Sequence, residues 1–366
     1  MAVYKIFAEK DTTIYSDYSS MNTGMDAILE LTKNTSLLYG GQSSAARILI
    51  KFSNDDIENI VNNYIGTGSF DAYLKLYLAN ASQLPTDYTI ESYPIYENWD
   101  MGTGKFGDSP QEINGASWRN NLANGSNQWI IGSYPAGVTG SYTTSNIGGA
   151  NWYVSSSATQ SFGVYTEKDV TLKVTDAVNS FISNSIDNNG FIIKTSGSLE
   201  FDSAYNYILN FFSRDTNTIY PPVLELRWDD SSFLVSGSSA TPVTSQDIRV
   251  SIANNKGEFN EDEIYRFRLN IRDQFPVRTF STSSLYTSPK YLPATSYYSI
   301  KDVKSDTTVV DFDNNYTKIS ADKQGNYFDI YMYGLEPERY YKLMIKTVIS
   351  GSTLIFDDQY FFKVTE

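Results

Sequence analysis

Apolar and polar residues alternate with a period of two through most of this chain. Phe70–Leu78 is the clearest stretch. Phe70, Ala72, Leu74, Leu76 and Leu78 fall on one face, and Asp71, Tyr73, Lys75 and Tyr77 on the other. Similar patterning predicts strands at Val3–Phe7, Thr12–Tyr15, Ile28–Thr32, Arg47–Phe52, Tyr88–Tyr96 and Val170–Val174. Phe191–Lys194 and Tyr207–Phe212 read as buried strands. Val223–Trp228 reads as another, entered through Pro221-Pro222. Two helical segments interrupt the series. Ile57–Tyr64 is opened by Asn54-Asp55-Asp56, whose acids suit the positive end of a helix. Thr175–Ser183 has Thr175 or Asp176 as cap and turns Val178, Phe181 and Ile182 inward.

Between Gly102 and Ser161 the pattern gives way to Gly, Ser, Asn and Trp. A connection that long predicts ordered loops with a functional or interface role. The polar stretch Asp229–Ser245 marks a second shift in composition, read as a domain boundary. Beyond it, strands are predicted at Ile248–Ile252, Ile264–Ile271, Tyr297–Val303, Thr307–Phe312, Thr317–Ser320, Tyr327–Tyr333, Tyr341–Val348 and Leu354–Val364. Short strands spaced ~8–12 residues apart predict a second sandwich.

Composition narrows the chemistry. The 366 residues include no His and no Cys, but 29 Tyr, 20 Phe and 5 Trp. Without His or Cys the chain lacks the groups of Ser-His-Asp triads, Cys-His dyads and the usual zinc sites. The aromatics suit half-buried pleated surfaces and contact faces, which points to a protein that binds or builds. The net charge of −14, from 28 basic and 42 acidic residues, disfavours binding to nucleic acid. The opening MAVYKIFAEKDTTIY has no apolar signal-peptide core, and no stretch reaches the ~20 apolar residues of a membrane span. The expectation is a chain made in the cytosol, without membrane attachment or cofactor.

Residues 1–230 resemble the DNRLRE (disaggregatase-related) domain, through pieces that follow one another in that family's order. They are Asp11-Thr-Thr-Ile14, Asn22-x-Gly24, Leu29-Glu-Leu31 and Arg47-Ile-Leu-Ile-Lys-Phe52. Trp99-Asp-Met-Gly-Thr-Gly104, Gly115-Ala-Ser-Trp118 and Asp169-Val-Thr171 follow. The last are Asn189-Gly-Phe-Ile-Ile-Lys194, Phe211-Phe-Ser-Arg-Asp215 and Pro222-Val-Leu-Glu-Leu226. The resemblance implies a jelly-roll-like β-sandwich, and it is strongest to copies in large tailed phages, notably those of marine cyanobacteria. The segment Tyr327–Ile345, with Gly334-Leu-x-Pro337 before Tyr340 and Tyr341, resembles an immunoglobulin or fibronectin type III module. The expected architecture is all-β: a jelly-roll-like sandwich with two short helices at 1–230, a linker at 231–246 and an immunoglobulin-like sandwich at 247–366. The implied role is a non-enzymatic virion structural protein, a multicopy docking or decoration module of the neck, tail or baseplate. Its partners would be other virion proteins and further copies of itself.

Two other readings attach to the loop-rich segment. Trp129, Trp152, Tyr142 and Tyr153 are candidate contacts for a host glycan or a partner, since flat rings stack on sugar faces. Trp99 and Trp118 read as core positions. Glu91, Glu97, Asp100 and Asp108 lie around the same loop, and paired carboxylates hydrolyse glycosidic bonds without His or Cys. A carbohydrate-binding module and a polysaccharide hydrolase or lyase therefore stand as alternatives. Asp311-Phe-Asp313-Asn-Asn315 with Asp322 brushes a calcium-loop pattern, but Tyr316 stands where that loop needs Gly, so a turn is expected.

Overall fold

The computed structural model describes residues 2–36, 42–123, 127–140, 148–200, 202, 205–236, 240–276 and 290–366. The fold is nearly all β. It divides into two compact units. One holds Met1–Lys5, Ile65–Phe70 and Leu226–Glu366, the other Ile6–Tyr64 and Asp71–Glu225.

Through Trp228 the strands are β1 (Ala2–Tyr15), β2 (Ile28–Ser36), β3 (Gln42–Phe52), β4 (Phe70–Leu76), β5 (Leu78–Ser82), β6 (Tyr88–Pro94) and β7 (Val138–Gly140). They continue with β8 (Asn151–Tyr153), β9 (Ala158–Phe162), β10 (Val170–Lys173), β11 (Phe191–Thr195), β12 (Tyr207–Phe212) and β13 (Val223–Trp228). The sheet order is β10-β4-β13-β1-β3-β11-β6-β9, with β2 joining β3 to β12 and β5 lying on the far side of β12. β3 is the hub. It pairs with β1 from Ala46 to Phe52, with β11 from Ile48 to Ile50, and with β2 from Gln42 to Ala45. Flanked on both edges and covered on both faces, it reads as a continuous apolar run; Ile48, Leu49 and Ile50 are fully buried.

Three local features differ from the sequence expectation. Helix α1 (Asn54–Ile60) starts three residues early because Ser53 caps it: the Ser53 hydroxyl accepts the Asp56 N–H at 3.3 Å. It runs on into a wider turn at Val61–Ile65. Helix α2 (Thr175–Ile182) has no side-chain cap, since Thr175 Oγ1 instead accepts the Ala72 N–H at 2.9 Å. Its Phe181 meets the Phe191 ring at 5.5 Å and anchors the helix on the sheet. The expected strand Phe70–Leu78 breaks at Tyr77. Leu78 donates its N–H to Asp169 Oδ1 at 2.7 Å, and the chain leaves β10 to pair with β12. A single-turn helix, α3 (Gly197–Glu200), is an addition to the sequence reading.

The C-terminal strands are β14 (Thr241–Pro242), β15 (Ile248–Ile252), β16 (Glu258–Asn260), β17 (Ile264–Asp273), β18 (Lys290–Tyr291) and β19 (Ser296–Asp302). β20 (Thr308–Val310), β21 (Ser320–Asp322), β22 (Gly325–Tyr331), β23 (Arg339–Ile349) and β24 (Ser352–Thr365) complete them. One sheet contains β15-β17-β22-β21 and the other β24-β23-β19-β20, with β16 parallel to β24. These correspond to the A-B-E-D and G-F-C-C′ orders of an immunoglobulin-like sandwich. Its core stacks Phe328 between Phe267, at 5.6 Å, and Tyr298, at 4.6 Å.

This unit is not one continuous stretch of chain. Tyr4 stacks on Tyr333 at 5.4 Å, and Lys5 donates to the Val309 carbonyl at 2.9 Å. The polar segment read as a linker is partly tied down: Leu234 donates its N–H to the Ala321 carbonyl at 2.8 Å, and β14 pairs with β18. The calcium-like run is a turn, in which Asp313 Oδ1 accepts the N–H groups of Asn315 and Tyr316 while Asp322 pairs with Arg268.

Buried Tyr341 donates its hydroxyl to the Glu336 carbonyl at 2.8 Å, closing the corner that leads into β23. Burial pushes this phenol well above its ordinary range. Tyr341→Phe is expected to lower stability by about 1 kcal/mol, read as a shifted denaturant midpoint with an unchanged slope.

Candidate functional site

The densest chemistry in the chain lies around Arg47, in the middle of β3. Arg47 is fully buried. Its Nε meets Glu200 Oε1 at 2.6 Å and its Nη2 meets Oε2 at 2.9 Å, a forked pair. Nη1 donates to the Gly149 carbonyl. The guanidinium lies over Trp118 at 4.8 Å and Trp152 at 5.2 Å. Beside it on β11, Lys194 Nζ sits 2.9 Å from Glu91 and 4.0 Å from Glu200, over the rings of Tyr93 and Trp152. Two cations thus face two carboxylates, and the cluster is formally neutral. Neutrality matters because desolvating each charge costs several kcal/mol, returned only by close, well-aligned partners. The phenols around it respond to the same dry surroundings: burial, then the Glu91 charge, pushes Tyr93 up to about 12, and burial raises Tyr207 further.

A second constellation fixes the long loop. Asn22 is fully buried. Its Nδ2 donates to the carbonyls of Met101, at 2.7 Å, and Ala116, at 2.9 Å. Its Oδ1 accepts the N–H groups of Gly104, at 2.9 Å, and Gly24, at 3.3 Å. One amide therefore uses all four of its hydrogen-bonding positions on three separate pieces of chain. Glycine is needed around it because the backbones come so close. A Cβ on Gly102 would collide with the Asn22 amide, and one on Gly115 would lie 2.6 Å from Asn22 Nδ2. Trp99 Nε1 donates to the Asn189 carbonyl and Trp129 Nε1 to the Ser117 carbonyl, both at 2.9 Å.

These contacts decide the place of each candidate residue. Trp129 and Trp152 are buried, at 1% and 6% exposure, beside Trp99 and Trp118. Neither offers a ring face to a sugar, and the expected stacking platform is not formed by them: the loop folds back so that the indoles cover the sheet and Arg47. Tyr153 is half-buried, edge-on to Tyr96 at 5.4 Å. Tyr142 lies outside the described residues. Glu97 Oε2 accepts from the Ile130 N–H, at 2.9 Å, and Asn151 Nδ2, at 2.6 Å. Asp108 accepts the Lys105 N–H at 2.7 Å, and Glu91 is held by Lys194. Asp100 is exposed. Among the described residues, no three acidic side chains gather in a way that holds a metal.

The sequence reading missed the pairing of Arg47 and Lys194 with Glu200 and Glu91. The signal was present in Arg-Ile-Leu-Ile-Lys-Phe and Phe-Ile-Ile-Lys, where a cation stands in an apolar strand and must find an anion. No protein-family model matches this chain, and no curated protein matches it. Several of the motif pieces quoted from the sequence are the staples just described: Asn22-x-Gly24, Gly102, Gly104, Gly115 and Arg47.

Glu200→Gln should cost about 3–5 kcal/mol in urea unfolding, because it leaves Arg47 buried and short of its partner. Gly115→Ala should cost about 1–3 kcal/mol by overpacking against Asn22. A wild-type denaturant midpoint in either variant would remove that residue from the account.

Proposed function

We propose that this chain is a non-enzymatic structural protein of a tailed-phage particle, a multicopy docking or decoration module of the neck, tail or baseplate. The ordered motif pieces support the particle. The docking role is carried by one observation, the outer face of the β24-β23 sheet. Tyr341 and Phe362 pair inward, which turns their neighbours Tyr340 and Phe361 outward. Tyr340, Ile355 and Phe361 are exposed at 55%, 57% and 40%, beside Lys342, Lys346 and Lys363. Aromatic and aliphatic side chains grouped on a sheet face, with charges around them, suit a protein contact. Further support comes from the loop acids and indoles, which hold the fold together. Among the described residues no helix is long and apolar enough to cross a membrane.

Mass spectrometry of purified particles should recover this chain as a multicopy component. The double variant Ile355→Glu/Phe361→Glu should fold but be lost from the particles. Particles that lack the wild-type chain would refute the virion role, and a double variant incorporated normally would refute this face as the contact.

A further inference from the structure

Two exposed aromatic rings stand together beyond the end of β1. Tyr18 and Phe106 are 43% and 47% exposed and meet edge to face at 5.6 Å. Phe106 also meets the buried Tyr15 ring at 5.3 Å. Main-chain bonds, not apolar cover, hold these rings in place. The Tyr18 carbonyl accepts the Met21 N–H, and the Ser19 carbonyl the Arg119 N–H, both at 2.9 Å. The Phe106 N–H reaches Asp26 Oδ2 at 3.1 Å, and the Lys105 N–H reaches Asp108 Oδ2 at 2.7 Å. From this corner a polar row crosses the sheet. The Tyr15 hydroxyl donates to Glu30 Oε2 at 2.9 Å. Glu30 on β2 lies opposite Asn210 on β12, and Asn210 lies opposite Asn80 on β5. Directly opposed residues share a face, so a carboxylate and two amides line up over about 10 Å. Their chain neighbours Leu29, Leu31, Leu209 and Phe211 are buried, which puts the row on the outer face.

We propose that this corner and row bind a neutral oligosaccharide, with one sugar ring against Phe106 and Tyr18 and the next units hydrogen-bonded along Glu30, Asn210 and Asn80. Three features select that ligand. The first is size. The two rings expose roughly 200 Å² between them, well short of the about 800 Å² that one side of a standard protein interface buries. That area matches the apolar C–H face of a sugar. The second is hydrogen bonding. Amides both donate and accept, and a carboxylate accepts, as adjacent sugar hydroxyls require. The third is charge. Burial first, with the Glu30 and Asp108 charges adding to it, raises the Asp26 carboxyl above its ordinary range, and Lys105 offsets this only in part. A negative field of this kind repels sulfated or carboxylated glycans and leaves neutral ones unaffected. The site is separate from the β24-β23 face, and it takes the stacking role that buried Trp129 and Trp152 do not fill.

The test places the full chain on an array of neutral and sulfated oligosaccharides, then titrates the best neutral sugar by calorimetry. Saturable binding of a neutral sugar is expected, with its sulfated counterparts weaker. Tyr18→Ala/Phe106→Ala should weaken binding at least about tenfold, and Asn210→Ala at least about threefold. If Asn210→Ala does not fold, the ring variant, confined to exposed positions, carries the test alone. Tyr165→Ala, at a fully exposed ring elsewhere, should bind as the wild type does. The ring variant should also still enter particles, which keeps this result apart from that of the docking face. The proposal is overturned if the wild-type chain retains no neutral sugar, if sulfated sugars bind more tightly, or if binding survives Tyr18→Ala/Phe106→Ala undiminished. Loss of the ring variant from particles, with no sugar bound by the wild type, would assign the two rings to a protein neighbour instead.

Discussion

A guanidinium at the centre of a β-sandwich must be neutralised where it stands, and Arg47 sets the terms for the chain around it. Its strand is the hub of the sheet, paired on both edges, so the side chain has no route to water. Glu200 has to be delivered to it, which is the work of the single turn Gly197–Glu200 after β11. A carbonyl has to be delivered as well, and Gly149 brings it from the far end of the long loop. The two indoles that roof the cation come from that same loop. Satisfying one charge therefore orders segments from four distant parts of the sequence. Such a pair adds little net stability over an apolar core, but an unpaired Arg47 would be ruinous, so the arrangement acts chiefly on which fold is allowed.

Asn22 does for the loop's near end what Arg47 does for its far end. Met101, Gly104 and Ala116 all bond to one amide, and the glycines beside it let the three backbones converge. A stretch poor in regular strands thus gains the fixity of a sheet. Its Trp rings are paid out inward: Trp99 and Trp129 each donate to a main-chain carbonyl.

The sequence made the strands legible, because period two survives wherever one face of a sheet is wet. β12, β13 and β15 begin and end where alternation and flanking prolines place them. It was less informative where a single distant side chain decides. Asp169 splits Phe70–Leu78 in two, and Ser53 moves a helix start; neither is visible in periodicity. The site was legible by residue type and illegible by role. Trp129 and Trp152 stood out as aromatic residues in a polar stretch, which is equally the pattern of a contact surface and of a loop carrying its own core. Burial separates these, and it depends on partners distant in sequence: Trp152 lies over Arg47, and Trp129 packs into the same buried cluster as Ile14, Leu49 and Ile192. Glu200 gave no signal in Gly-Ser-Leu-Glu, because an acid that neutralises a buried cation looks the same in sequence as one in water.

Absence of histidine has a further consequence for how this protein responds to its surroundings. Without it, the side chains that reach the neutral range are those whose surroundings move them there. In the second sandwich, burial drives the phenols of Tyr298 and Tyr341 further from neutrality. Asp11 departs from this pattern, with burial and Asp215 bringing it to about 7. With one carboxylate oxygen buried and without a hydrogen-bond partner, Asp11 makes the turn after β12 a place where pH acts on the fold.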